Sequence, residues 1–85
     1  MKTITKLENL CKPHGVDLDA FHDADWGEWR LYFYAPAKMQ WNSSTATCAV
    51  FVGPLVSAVK WLREELSMGF SPASYSQLRD TDQLD

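Results

Sequence analysis

Glycine and proline are scarce, four of each in 85 residues, and no stretch of the chain repeats at a fixed period. Collagen-like, low-complexity and repeat architectures are excluded on that ground. Cysteine is scarcer still. Cys11 and Cys48 are too few for a disulfide-stapled scaffold and fit a reducing compartment, where they pack as small apolar side chains; one bridge between them is the other state open to them. Long apolar runs are missing as well. Nothing approaches the ~20 residues that a membrane-crossing helix requires, and Met1–Leu10 holds Lys2 and Lys6 without an apolar core of signal-peptide length. The expectation is a cytoplasmic protein without a membrane span. Basic charge is also short: 8 Lys and Arg stand against 11 Asp and Glu, a net charge of −3.

What the chain does have is apolar and aromatic surface. Apolar residues make up 46% of it and aromatics 13%, enough to offset chain entropy and fold. So short a chain buries only about two-thirds of its unfolded surface, which leaves room for one small core. One domain over residues 1–70 is expected. The remainder, 71–85, is a polar tail whose end carries Asp80, Asp82 and Asp85, and beyond Arg79 it is expected to be mobile.

Ile4, Leu7, Leu10 and Cys11 recur at helical steps, Thr5 and Glu8 have the spacing of a capping box, and Pro13 with Gly15 ends the segment. A short helix over about residues 3–12 follows. Residues 15–27 hold four aspartates without Lys or Arg and read as a long connection, with at most a short strand at Val16–Leu18. From Glu28 the period changes to two: Trp29, Leu31 and Phe33 point one way, Arg30, Tyr32 and Tyr34 the other. Turns at Ala35–Lys38 and Asn42–Ser44 then separate a short strand, Met39–Trp41, from a β-rich run, Thr45–Val52. After Gly53-Pro54, the residues Leu55, Ala58, Val59, Leu62 and Leu66 share one face of a helix that Gly69 ends. Ser71-Pro72 reads as the start of one further helical turn.

The order αβββα predicts an α+β, two-layer sandwich: a three-stranded antiparallel meander with two helices on one face. The layout of Leu7, Leu10 and Gly15, then Tyr32 with Ala35-Pro36 and Trp41, then a helix running through Leu62 to Gly69, resembles small uncharacterised phage- and prophage-type accessory proteins. The resemblance implies a protein that acts by binding and inhibiting a host protein. It brings no functional residue with it.

Candidate chemistry is thin. Counting a calcium loop from Asp17 places Asp19, Asp25 and Glu28 at ligand positions, but Phe21 and His22 fall where an oxygen ligand and a glycine belong. Cys11 and His14 have a zinc-like spacing, with His22 or Cys48 as further ligands, yet Cys11 also lies on the apolar face of its helix. No phosphate-binding glycine loop, G-x-S-x-G or H-E-x-x-H is present, so neither an enzyme nor a cofactor is expected. Tyr32 and Tyr34 suit base stacking, but the acidic balance argues against nucleic acid. The acids of 17–28 have the alternative of imitating phosphates toward a basic partner.

Four tryptophans exceed what one thin core hides. Trp61 and Met68 lie about 120–140° from the Leu55–Leu66 stripe at 100° per residue, which predicts partial exposure. Surface Trp, Tyr and Met concentrate at protein interfaces. The expectation is therefore a non-catalytic protein-binding module. Its contacts are Trp26, Tyr32, Tyr34, Trp61 and Met68, with Asp23, Asp25 and Glu28 meeting a basic partner. A homodimer through the uncovered sheet face or a strand edge is the competing reading, and a small metal- or single-strand-binding domain a third.

Overall fold

A computed structural model describes residues 2–43 and 45–73. Its elements are α1 (Thr3–Cys11), a 3-10 turn (Lys12–His14), β1 (Asp17–Asp23), β2 (Glu28–Tyr34), β3 (Met39–Trp41), β4 (Cys48–Gly53), α2 (Leu55–Met68) and β5 (Phe70–Pro72). The protein is thus α+β, with a three-stranded antiparallel sheet in the order β1-β2-β4 and two α-helices. The tail expected to be mobile beyond Arg79 lies outside the described residues. Among the described residues no helix is long and apolar enough to cross a membrane.

The first helix begins at Thr3, so Thr5 sits inside it and the capping box is not used; Lys2 occupies the cap position without a side-chain hydrogen bond. Its end follows expectation. Pro13 lies in the 3-10 turn and Gly15 takes the left-handed conformation, φ 70°, that a side chain disfavours. The second helix starts after Pro54 and stops at Gly69, φ 78°. Along it Ala58 and Leu62 are buried, and so is Glu65, whose Oε1 accepts a hydrogen bond from the Ser43 hydroxyl.

Two expectations about the strands are corrected. Residues 17–23 are a full strand, not a connection, and they pair along their whole length with β2, from Asp17 opposite Tyr34 to Asp23 opposite Glu28. The three-residue strand Met39–Trp41 is not the middle of a meander. It leaves the main sheet and pairs with β5, Trp41 opposite Phe70, so Phe70–Pro72 is a strand and not a helical turn. The boundary expected at residue 70 therefore falls inside β5.

Leu7 and Cys11 of α1, Leu31 and Phe33 of β2, Trp41 of β3, Ala49 of β4, and Ala58 and Leu62 of α2 form one buried cluster. Trp41 is its hub. The indole Nε1 donates to the Phe33 carbonyl at 2.9 Å, and the ring lies 6.3 Å from Phe33, 5.7 Å from Trp61 and 5.0 Å from Phe70. The small β3–β5 sheet is thereby pinned to the main sheet through aromatic contact and one satisfied buried N–H.

Candidate functional site

Strand alternation divides the main sheet into two faces. Leu18 and Ala20 of β1 stand opposite Phe33 and Leu31 of β2, which in turn stand opposite Ala49 and Phe51 of β4. These are the side chains that join the cluster with the helices. Their alternates point the other way. Asp17, Tyr34 and Cys48 form one cross-strand row, Asp19, Tyr32 and Val50 a second, and Phe21, Arg30 and Val52 a third.

This outer face exposes apolar side chains among charged ones. Phe21 is 58% exposed, Tyr34 40%, Val50 56% and Val52 51%. Phe21 and Tyr32 meet edge to face, with ring centroids 5.8 Å apart. Asp17 and Asp19 border the face along β1, and Asp23 with Glu28 closes its far end. Beside that end lies an open depression of about 410 Å³ lined by Phe21, His22, Asp23, Ala24 and Arg30.

The eight contact residues expected from sequence fall into separate places. Tyr32, Tyr34, Asp23 and Glu28 belong to the outer-face side of β1 and β2. Asp25 and Trp26 sit in the turn that joins those strands, where Trp26 is 78% exposed. Met68 is 49% exposed near the end of α2. Trp61 is half-buried and turned into the aromatic cluster, 5.1 Å from Phe33 and 6.0 Å from Phe51. Phe21, Val50 and Val52 of this face were not among the contacts expected from sequence, while Asp17 and Asp19 entered only within the acidic segment 17–28 and Arg30 only as sharing a side with Tyr32 and Tyr34. No alternation marks the valines in the sequence, since Ala49, Val50, Phe51 and Val52 are all apolar, and only the register against β2 assigns their sides.

Three titratable groups, Cys11, Cys48 and Tyr34, are shifted from their ordinary values. Both cysteines are free thiols. Burial first, then Asp17 and Glu8, pushes the Cys11 thiol from 9.0 up to about 11. Burial also raises Cys48, with Asp19 adding to it and the Tyr34 hydroxyl acting in the opposite direction. Tyr34 is itself raised, by burial and then by Cys48 and Asp19. Thiols shifted this way are poor nucleophiles at neutral pH. Among the described residues no three His, Cys, Asp or Glu side chains gather where they would hold a metal ion. Comparison with protein-family models, curated proteins and solved structures finds no match.

Proposed function

We propose that this chain is a non-catalytic protein-interaction module. In this reading it is a two-layer α+β sandwich with both helices on one face of the β1-β2-β4 sheet, and the other face docks on a partner protein and occludes part of its surface. One observation carries the reading: Phe21, Tyr34, Val50 and Val52 are each 40–58% exposed on the side away from Leu31 and Phe33. Contiguous apolar patches of this kind on a small domain mark binding surfaces. Asp17, Asp19 and Asp23 along one border select a partner whose apolar patch has a basic rim, which orients encounter and excludes acidic competitors. Nucleic acid is the poorer occupant, because Arg30 is the cation this face offers while carboxylates border it. The resemblance to small phage-type accessory proteins fits the same mode of action, binding a host protein and inhibiting it by coverage. Two thiols both raised above their ordinary value speak for a role without nucleophilic chemistry.

The test is affinity capture from a lysate of the organism that carries the gene, with identification by mass spectrometry. The wild-type chain is expected to retain a stoichiometric protein, more weakly as salt rises. The double variant Tyr34→Ser/Val50→Ser is expected to lose it with an unchanged circular-dichroism melt, while Met68→Ser keeps it. Capture that survives the double variant overturns the reading. So does a homodimer that this variant dissolves, since the face then serves a second copy.

A further inference from the structure

A second surface lies between the helices. Along the seam of α1 and α2 runs a groove of about 400 Å³ lined by Thr3 and Lys6 of the first helix and by Val56, Val59, Lys60 and Arg63 of the second. Positions 3 and 6, and positions 56, 59, 60 and 63, are one turn apart, so each set shares one side of its helix. Val56 is 74% exposed and offers apolar surface between the cations. Glu64 contributes one carboxylate to the lining. Among the described residues no ion pair engages Lys6, Lys60 or Arg63. In a chain of net charge −3, this is a local concentration of positive charge, unpaired among the described residues, beside apolar surface.

The β1–β2 turn is its counterpart. The Asp23 carboxylate accepts the N–H of Asp25 at 3.1 Å and of Trp26 at 3.3 Å, while the Asp23 carbonyl accepts the N–H of Gly27 at 2.8 Å. Gly27 adopts φ 65°, the left-handed conformation that closes the turn. These bonds hold the loop in one shape and leave the Trp26 indole 78% exposed, with Asp25 and Glu28 exposed beside it. The result is a preorganised knob, an aromatic ring between carboxylates.

We propose that the interhelical groove receives the Trp26 knob of a second copy of this chain. The indole lies on Val56 and Val59, and Asp25 and Glu28 meet Lys6, Lys60 and Arg63. Charge complementarity selects this occupant: the knob is acidic where the groove is basic, and cations beside an indole add a cation–π attraction. Preorganisation of the loop lowers the ordering cost of association. The contact shares with the outer sheet face only Glu28 at its far end and uses none of Phe21, Tyr34, Val50 or Val52, so variants at Tyr34 and Val50 distinguish it from the partner proposed above.

Sedimentation velocity across a concentration series tests it. The wild-type chain is expected to show a mass that rises with concentration, and less so as salt screens the charges. Trp26→Ala and the pair Lys60→Glu/Arg63→Glu are each expected to weaken self-association by about thirtyfold or more, the scale of an anchor residue. Mixing these two self-incompetent variants restores a one-to-one pair, because each retains the half the other has lost. Neither unfolding nor a general charge effect produces that rescue. Four results overturn the proposal: a monomer at every concentration, no pairing in the mixture, association that Tyr34→Ser/Val50→Ser removes and Trp26→Ala does not, or a groove that binds a free acidic peptide while the copies stay apart.

Discussion

Along β4 the two faces of the main sheet differ little in composition and greatly in environment, although on β1 and β2 the outer face also carries Asp17, Asp19, Asp23, Glu28 and Arg30. Leu31 and Phe33 are fully buried and Ala49 is 4% exposed, while Tyr34 and Val50, their neighbours in the chain, remain 40% and 56% exposed. Both sets are apolar or aromatic and both are good strand formers. Side chains of one face share a buried cluster with Leu7, Cys11, Ala58 and Leu62 of the helices and with the aromatic hub, while on the other Phe21, Tyr34, Val50 and Val52 stay 40–58% exposed. In β4, therefore, hydropathy alone does not assign the core side. Cover assigns it, and an apolar face left without cover calls for a separate explanation.

The tryptophans sharpen the contrast most. Trp41 is fully buried, donates a hydrogen bond and touches three aromatic rings, so Trp41→Ala is expected to cost about 3–5 kcal/mol in urea unfolding. Trp26→Ala removes an equally large side chain from the turn. It is expected to change the same measurement by less than about 0.5 kcal/mol, because the ring is 78% exposed in the folded chain. A large loss at Trp26 breaks the comparison, as it places that ring in the fold rather than on display.

A smaller effect comes from pH on the buried side. Cys11 holds its proton in the folded chain until about pH 11, whereas its ordinary value is 9.0. Between these values the unfolded chain has lost the proton and the native chain retains it, so folding stability falls as pH rises through this window. The loss is of order 2–3 kcal/mol at the upper end. Thermal melts of wild type and Cys11→Ala over pH 8–11 are expected to show this part of the slope in the wild type and not in the variant. Below pH 8 the thiol is protonated in both states and adds no slope.

The same division explains what was legible in the sequence. The helix over Leu55–Met68 and the strand from Glu28 carry strong periods, and Gly69 marks the end of that helix as Gly15 marks the end of the turn after α1. The strand Asp17–Asp23 was not legible, because its outward positions hold aspartates, which are poor strand formers, and its inward positions offer only Leu18 and Ala20 before His22. The pairing of Met39–Trp41 with Phe70–Pro72 joins two three-residue segments some thirty residues apart, too short for any period to register. Trp61 lies off the apolar stripe of its helix, as the angular argument requires, but α2 has packing on more than one side, and Phe33, Trp41 and Phe51 stand beside that residue. As for the candidate site, Tyr32, Tyr34, Asp23 and Glu28 were named from alternation and charge. Phe21, Val50 and Val52 join them only through strand register, a non-local property.

On the turn, the effect is smaller again. Gly27 adopts φ 65°, and a Cβ there meets nothing within 4 Å, so Gly27→Ala pays a backbone cost alone. About 1 kcal/mol is expected in urea unfolding. A loss several times larger indicates that the turn is packed against something, contrary to a freely displayed Trp26.

The smallest expected effect is the most informative about the outer face. Val50→Thr keeps the β-branch and the volume and replaces a methyl by a hydroxyl. In a dry core the unpaired hydroxyl costs more than 1 kcal/mol, and on a wet face it is solvated. Val50 is 56% exposed, opposite Tyr32 on the outer side, so a change within about 0.5 kcal/mol is expected in urea unfolding. Adjacent Ala49, 4% exposed on the inner side, supplies the control: Ala49→Thr adds both volume and a hydroxyl to the cluster and is expected to cost at least 1–3 kcal/mol. If the two neighbours respond alike, the outer face is covered within the folded chain and has no surface to offer a partner. If they respond as opposites, stability does not account for the exposed valines, as the proposed docking surface requires.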